Sequence, residues 1–379
     1  MAGIYLHIPL CKQACYYCDF HFSTYFGLKS GIVNALNKEL ILQKSYLGTD
    51  TIDTIYFGGG TPTVLSTYDL EILINTIFNI YKVNHNPEIT IEANPDDLST
   101  SKSKELKTLG FNRLSIGIQS FDDNTLKYLN RIHDSKDSFK AIKNAKQAGF
   151  ENINLDLIFA IREDHMDILK DDIDKMVQVH PQHISTYSLT VEENTVFGNW
   201  TRKGKIGSVS SDNAALEFEY VMENLGRANY LQYEVSNFSK PGFVSIHNSN
   251  YWKEVPYLGI GPSAHSFDGN TRQSNICNNS NYIKSIEKGI IPAVKEDLSK
   301  ADRINEMLLT GLRTIWGVDL NLIKKRFGVD LEKYNKSYIK DLIRLDLATF
   351  NNGKIQLSKK GILIADKICS DLFFIDEND

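Results

Sequence analysis

The sequence of 379 residues has no long apolar run, no excess of basic residues and few cysteines. No stretch of about 18 apolar residues is present and the first residues do not resemble a secretory signal, so we expect a soluble, cytoplasmic protein. A formal net charge of −5 argues against a general binder of nucleic acid or of membrane surfaces, which usually carries a basic face. Five cysteines, with Cys277 and Cys369 isolated, do not form an extracellular disulfide framework.

What is present is a regular alternation of strand and helix patterns. Six β-then-α units fill the first 227 residues, and their strand patterns are GIYLHIP, TIDTIYF, EITIEAN, RLSIGIQ, NINLDLIFA and HISTYSLTV. The alternation predicts an α/β fold whose parallel strands are joined by right-handed crossovers. Six units fit an open doubly wound sheet or an incomplete (β/α)6 barrel, and we favour the incomplete barrel.

The alternation ends after the sixth helix. Residues 236–296 are rich in aromatic residues, glycine and proline, and they predict additional strands and loops that close one side of the barrel. From about residue 297, a helix around NEMLLTGLRTIW, shorter helices and a strand pair LATF and KIQL predict a small helical, winged-helix-like domain. We therefore expect three domains, at 1–235, 236–296 and 297–379. The last has no basic recognition helix, so we expect no binding of nucleic acid.

Three of the five cysteines are clustered. Cys11, Cys15 and Cys18 lie in the segment LCKQACYYCDF with the spacing Cys-x3-Cys-x2-Cys, and clustered thiols in a reducing compartment favour a metal site. A structural zinc site needs four ligands, of which His7 or His21 would have to supply one. A [4Fe–4S] cluster takes one cysteine per iron, so three cysteines leave one iron free to bind a substrate or cofactor. Both sites stay open at this point, and we favour the cluster.

Other notable residues follow the predicted strands at their carboxyl ends. Because the βα loops of a barrel meet at that end, we expect these residues on the same rim as the cysteine loop. A run of glycines can also be a simple tight turn, and Arg131 can also be a solvated cation at a helix end. The candidates at the rim are Gly58, Gly59, Gly60, Thr61, Glu92, Gln119, Asp156, Thr190 and Glu192.

Several segments together resemble a known family. The segments YLHIPLCKQACYYCDF, YFGGGTPT, IEANP, SIGIQSF, LNRIH and NLDLIF resemble, in order and spacing, the radical S-adenosylmethionine (SAM) family. Within that family they are most similar to oxygen-independent coproporphyrinogen III oxidase and its relatives. The resemblance implies that Cys11, Cys15 and Cys18 hold a [4Fe–4S] cluster whose open iron binds SAM. It further implies SAM contacts at Tyr5, Tyr17, Gly59, Gly60, Thr61, Glu92, Gln119, Arg131 and Asp156.

Two functions are open within this family. The oxidases carry a fourth cysteine where this chain has Phe20, and the HemW-type branch of haem chaperones has phenylalanine there. The segment HNSNYW resembles the HNxxYW motif linked with haem binding in that branch, which makes His247 a candidate axial ligand. We therefore favour a haem chaperone that delivers haem to recipient haemoproteins, such as respiratory enzymes. The alternatives are the oxidase, which decarboxylates porphyrinogen propionates, and a radical SAM enzyme acting on another tetrapyrrole or carboxylated substrate.

The sequence does not decide whether the protein is an enzyme, what donates electrons to it, or whether it is a monomer or a dimer that depends on SAM or the cluster. A transient contact with a membrane-bound recipient is compatible with the family. One departure from the family pattern concerns the loop after LDLIF, where Ala160-Ile161-Arg162 replaces the usual Gly-Leu-Pro. Because alanine adopts a positive φ less readily than glycine, we expect a different backbone path in this loop.

Overall fold

Six parallel strands form the centre of the protein. The computed structural model describes residues 1–207 and 209–375. Each of the six strands pairs in parallel with the next one along the chain. They are β1 (Ala2–Ile8), β2 (Ile52–Gly59), β3 (Val83–Ala93), β4 (Arg113–Gln119), β5 (Asn152–Phe159) and β6 (His183–Ser188).

Helices connect these strands and cover one face of the sheet. They are α1 (Lys29–Leu42), α2 (Thr67–Ile80), α3 (Thr100–Thr108), α4 (Asp123–Tyr128), α5 (Ser135–Gln147), α6 (Met166–Gln178), α7 (Val196–Arg202) and α8 (Ser211–Arg227). Short 3-10 turns lie at Phe26–Leu28, Pro62–Val64 and Pro95–Asp97. Right-handed crossovers between strands in sequential order all lie on the same side, whereas a doubly wound sheet needs a reversal of strand order. The predicted incomplete barrel is therefore confirmed, and among the described residues the sheet does not close.

Residues 231–297 extend both edges of the sheet. At one edge β7 (Leu231–Glu234) and β8 (Asn237–Ser239) form a hairpin whose second strand pairs with β6. At the other edge β9 (Tyr257–Ile260) pairs in parallel with β1. The antiparallel strands β10 (His265–Phe267), β11 (Thr271–Asn275) and β12 (Ala293–Asp297) follow it and complete a sheet of 12 strands.

Two helices in this region were not expected from the sequence. α9 (Ile246–Trp252) carries the HNSNYW segment, and α10 (Asn279–Glu287) packs against α1. The sequence pattern predicted only strands and loops there. α9 begins where the backbone N–H groups of Ile246 and His247 donate to the Glu88 carboxylate at 3.0 and 2.8 Å, so a residue of β3 fixes its first turn.

The C-terminal part has its own core and a three-stranded sheet. Its elements are α11 (Lys300–Leu312), β13 (Val318–Asp319), α12 (Leu320–Phe327), α13 (Leu331–Tyr334), α14 (Lys336–Arg344), β14 (Ala348–Asn351), β15 (Lys354–Leu357), α15 (Lys359–Ile362) and α16 (Ala365–Leu372). The predicted strand pair LATF and KIQL is present as β14 and β15.

The first helix of this part begins and ends earlier in the chain than predicted. We expected it to continue to Trp316, but α11 ends at Leu312. The next residues pair with the edge of the main sheet instead, because Thr314 bridges to Glu234 and the Ile315 N–H donates to the Tyr233 carbonyl at 3.0 Å. This pairing joins the C-terminal part to β7. No helix among the described residues is long and apolar enough to cross a membrane.

The two faces of the central sheet differ in polarity. Along β4, Leu114 and Ile116 belong to the apolar core between sheet and helices. The alternate residues Arg113, Ser115 and Gly117 point to the other face and line a cavity. Since side chains of a strand alternate between its faces, the apolar face fixes the helices and the polar face is left for a site.

Ala160, directly after β5, occupies the left-handed region with a φ of 55°. Its N–H donates to the Glu217 carboxylate at 2.6 Å, which holds the backbone in this conformation. Alanine therefore adopts a positive φ here, although it does so less readily than glycine. The different backbone path expected for this loop stays a prediction. The surrounding contacts outweigh the local strain, which for an L-residue is of the order of 1 kcal/mol.

Candidate functional site

A cavity of about 450 Å³ lies on the polar face of the sheet, at the carboxyl ends of the parallel strands. Most of the residues that the sequence singled out line it. These are Cys11, Cys15, Tyr17, Cys18, Gly59, Gly60, Thr61, Glu92, Gln119, Arg131, Asp156, Thr190 and Glu192. Tyr5 and His247 do not line the cavity and lie behind it.

The three clustered cysteines are free, half-buried thiols in the loop after β1. The Thr61 hydroxyl donates to Cys11 Sγ and Arg131 Nη1 donates to Cys15 Sγ, both at 3.4 Å. Burial raises the pKa of Cys11 to about 11 and that of Cys18 to about 12. A metal that binds these sulfurs must therefore displace their protons, because only the thiolate is a ligand.

The histidines that could have completed a zinc site are engaged elsewhere. His7 Nε2 donates to the His21 carbonyl at 2.8 Å, and its Nδ1 pairs with the Tyr5 hydroxyl at 3.1 Å. The His21 ring lies 3.1 Å from Cys277 Sγ and 2.7 Å from Asn279 Oδ1. Within residues 1–207 and 209–375 no three His, Cys, Asp or Glu side chains are grouped so that they could hold a single ion. Both histidine rings thus already contact groups other than the three clustered cysteines.

The glycine run after β2 packs directly against the cysteine loop. The N–H groups of Gly60 and Thr61 donate to the carbonyls of Ile8 and Leu10 at 2.9 and 2.8 Å. A Cβ on Gly60 would lie 2.7 Å from the Leu10 carbonyl oxygen, and Gly59 has a φ of 102°. Glycine is thus required for this close approach and for the backbone conformation, whether or not a ligand binds.

Glu92, at the end of β3, is the acid that faces the cysteine loop. Its carboxylate accepts from the Tyr56 hydroxyl at 2.7 Å and from the Gly59 N–H at 3.1 Å. Burial raises the pKa of Glu92 to about 7, and the nearby Asp156 carboxylate adds to the shift. A positively charged group in the cavity would favour the ionised form, so this site suits a cation.

Arg131 is directed into the cavity and is not a solvated cation at a helix end. Its Nη2 donates to Asn94 Oδ1 at 2.6 Å and to the Gly117 carbonyl at 2.9 Å. Its Nε is buried and has no partner among the described residues. The Nε–H of the guanidinium thus remains available to a ligand next to Cys15.

Asp156 lies deeper in the cavity, in the middle of β5. It accepts from Asn154 Nδ2 at 2.7 Å and from the Ser115 hydroxyl at 3.4 Å. Burial raises the pKa of Asp156 above its usual range. Gln119 closes β4 with a φ of 68°, where the pairing of β4 and β5 shifts by a residue.

Tyr5 and His247 form a layer behind Tyr56. The His247 ring stacks on Tyr56 with centroids 4.9 Å apart, and Tyr56 in turn contacts Glu92. His247 Nδ1 pairs with the Thr54 hydroxyl at 2.8 Å and Nε2 with the Tyr251 hydroxyl at 3.0 Å. Burial lowers the pKa of His247 to about 3, so its imidazole is neutral at pH 7.

The sequence reasoning missed several residues of the lining. The sequence pattern that could have revealed them is a polar residue at every second position of β4, β5 and β6. Those positions lie on a face that is usually apolar in a buried sheet. Asn248, which follows His247 in the HNSNYW segment, also lines the cavity. The missed residues are Tyr56, Asn94, Arg113, Ser115, Asn154, Ser185 and Asn248.

Comparisons with known proteins agree with this arrangement. The profile of the Radical SAM superfamily matches residues 5–176, and that of the HemN C-terminal domain matches residues 298–364. A relative from Bacillus subtilis (strain 168) named Heme chaperone HemW is 36% identical over 97% of this chain and 98% of its own length. A relative of the same name from Lactococcus lactis subsp. lactis (strain IL1403) is also 36% identical, over 99% of this chain and 98% of its own.

A solved structure shares the fold over nearly the whole chain. Coproporphyrinogen III oxidase (HemN) from Escherichia coli, described as a radical SAM enzyme, matches with a TM-score of 0.84 at 21% identity. The match covers 98% of this chain and 90% of that protein. At this identity the likeness establishes the fold alone.

Proposed function

This chain belongs to the HemW family within the radical SAM superfamily, and from this premise we propose that it is a haem chaperone that binds a [4Fe–4S] cluster, SAM and haem. The relatives that carry the name Heme chaperone HemW match almost the full length of the chain. One structural observation carries the proposal: three half-buried thiols share a cavity with the carboxylate of Glu92 and the guanidinium of Arg131.

We assign the cluster to Cys11, Cys15 and Cys18. Three sulfurs fit a cluster that leaves one iron without a protein ligand. Thr61 and Arg131 already contact two of the sulfurs, and their donors would offset part of the negative charge of thiolates. When bound, a cluster and SAM supply one-electron chemistry.

The lining also fits the two charged ends of the amino-acid part of SAM. Glu92, held by Tyr56 and Gly59, would accept from the cationic amino group. The unpartnered Nε of Arg131 is available to the carboxylate group. We propose that Tyr5, Tyr17, Gly59, Gly60, Thr61, Gln119 and Asp156 complete or support this binding site.

For haem we propose His247 as the axial ligand. Its imidazole is neutral at pH 7, which is the form that binds iron. Coordination of the haem iron through Nε2 would require this atom to give up its hydrogen bond with the Tyr251 hydroxyl. Several further points remain predictions of this proposal. They are delivery to recipient haemoproteins, contact with a respiratory recipient in the membrane, a cytoplasmic location and a dimer that depends on SAM or the cluster.

The oxidase is the less favoured function. Phe20 stands where the oxidases of this family carry a fourth cysteine, and it lies at the cavity with 67% of its surface exposed. Two relatives that match nearly the whole chain are named as chaperones.

Cys15→Ser tests the cluster site. After anaerobic reconstitution, we expect wild type to hold about four irons per chain and Cys15→Ser to lose the iron and the visible absorbance of the cluster. Cys277→Ser is the matched control, because this thiol is exposed and lies outside the cavity. Full iron content in Cys15→Ser would sink the assignment.

A haemin titration followed in the Soret band tests the chaperone function. We expect wild type to bind haemin, His247→Ala to lose the Soret shift, and Tyr251→Phe to keep it because this change removes only the competing hydroxyl. An unchanged shift in His247→Ala would remove His247 from the haem site. Conversion of coproporphyrinogen III with consumption of SAM would favour the oxidase instead.

A further inference from the structure

The cavity continues beyond the proposed cofactor site to a buried arginine. Arg113 is 1% exposed and lines the cavity. It is the first residue of β4, whereas Gln119 ends the strand near the cysteine loop. Six residues of extended strand span about 20 Å, so Arg113 enters the cavity from the end opposite to the cysteines.

The guanidinium of Arg113 has no ionic partner among the described residues. Its Nε and Nη2 are buried and donate no hydrogen bond, and no carboxylate of the described residues lies within ion-pair distance. Arginine stays charged in proteins, so this is an unpaired charge in the interior. Such a charge is costly when nothing in the cavity compensates it.

The carboxylates nearest to Arg113 are already used by other donors. Glu92 is held by Tyr56 and Gly59, and Asp156 by Asn154 and Ser115. The charge of Arg113 opposes the rise in the pKa of both acids, which places them within its electrostatic reach. They nevertheless leave its hydrogen-bond donors free.

The acids of the neighbouring strands are engaged in the same way. Glu88 accepts from the backbone N–H groups of Ile246 and His247. Glu234 accepts from the Ser236 N–H and from Asn237. The polar groups next to Arg113 also satisfy one another, since Asn154 donates to the Ser115 hydroxyl and accepts from Ser185. The guanidinium of Arg113 therefore has donors left for a group that enters the cavity.

We propose that Arg113 anchors a carboxylate group of a ligand that enters the barrel from the cysteine rim. A planar guanidinium pairs with a carboxylate through two parallel hydrogen bonds, which suits an arginine with two unpartnered nitrogens. The inference rests on the proposed function, which supplies haem as a ligand with this group. Haem carries propionates, whereas the amino-acid carboxylate of SAM is already assigned to Arg131 next to Cys15.

The test compares Arg113→Gln and Arg113→Lys with wild type after anaerobic reconstitution. Binding of haemin, haemin dimethyl ester and SAM is measured by titration, and the exposed Arg344→Gln is the matched control. We expect Arg113→Gln to weaken the binding of haemin at least tenfold, and Arg113→Lys to weaken it less because the charge remains. The dimethyl ester, which lacks the carboxylates, should bind equally to wild type and Arg113→Gln. A change in the SAM titration alone would overturn the inference.

Urea unfolding of the ligand-free proteins separates an anchor from a structural residue. Removal of an unpaired buried charge should leave Arg113→Gln at least as stable as wild type, whereas a structural role would lower its stability. A change below twofold in the haemin titration overturns the inference, as does a clear loss of stability in Arg113→Gln and Arg113→Lys without a selective loss of haemin affinity. Haem binding by wild type with no effect of Arg113→Gln defeats this inference alone. Failure of wild type to bind either ligand defeats the proposed function with it.

Discussion

At the scale of single residues, burial controls ionisation in the cavity. Glu92 is enclosed by Tyr56 and the glycine loop, and loss of solvation raises its pKa to about 7. His247 is buried among aromatic rings, and loss of solvation lowers its pKa to about 3. In the ligand-free protein, both residues therefore favour their neutral forms more than they do in water.

The raised pKa of Glu92 predicts a pH dependence of stability. In the unfolded chain this carboxyl ionises near 4.5, so between that value and about 7 the folded state keeps a proton that the unfolded state has lost. Raising the pH through this window therefore favours unfolding. We expect the free energy of unfolding of cluster-free protein to fall less steeply from about pH 5 to about pH 8 in Glu92→Gln than in wild type. Urea unfolding across this range measures it, and parallel curves would contradict the shift.

The positive φ of Ala160 predicts a stabilising substitution. Glycine relieves the strain of an L-residue at a φ of 55°, although its greater freedom in the unfolded chain offsets part of the gain. We expect Ala160→Gly to raise the free energy of unfolding by up to about 1 kcal/mol. Ala148→Gly is the control and should destabilise, because Ala148 has an ordinary φ of −77°. A loss of stability in Ala160→Gly measured by urea unfolding would refute the strain.

At the scale of elements, one acid couples β3 to α9. Glu88 is 7% exposed and accepts from two N–H groups in the first turn of the helix, while Ser245 caps its start. Negative charge is favourable at a helix N-terminus, where the N–H groups have no partner in the helix. This contact places His247 behind Tyr56.

We expect Glu88→Gln to lower the free energy of unfolding by about 1–2 kcal/mol, because it loses the charge and one acceptor of this pair. Urea unfolding measures the change. Glu296→Gln on the exposed strand β12 removes an acid without such contacts and should have little effect. Equal stability of the two variants would show that α9 does not depend on Glu88.

At the scale of the whole molecule, residues after 230 complete both edges of the barrel sheet. β8 pairs with β6 and β9 pairs with β1, so the first 235 residues by themselves expose two unpaired edges. Exposed edges of this kind promote aggregation. The predicted division at 235 therefore separates strands of a single sheet.

A truncation series tests this dependence. We expect a chain ending at Leu298, which retains β7 to β12, to remain monomeric in size-exclusion chromatography and to unfold cooperatively in urea. A chain ending at Val235 lacks the strands that cover β1 and β6, and we expect it to aggregate. A monomeric, cooperatively folded 1–235 fragment would instead support the three-domain division.

Much of the fold could be read from local patterns. Period-two alternation located the six parallel strands, and the carboxyl-end rule grouped Glu92, Gln119 and Asp156 with the cysteine loop. α9 and α10 were missed because their short segments carry little helical periodicity. Contacts with residues distant in the sequence stabilise these helices. For example, Glu88 accepts hydrogen bonds from the first N–H groups of α9.

The sequence by itself determined the cysteine spacing, the order of the β/α units and the residues of the rim, because each of these depends on neighbours a few positions apart. Only the tertiary structure decided that β9 pairs with β1, that His247 lies behind the cavity and that Arg113 lacks a partner. These features depend on groups as far apart as Gly3 and Tyr257, which paired strands bring together. Whether a buried charge is compensated depends on all the strands around it, and no local pattern records that.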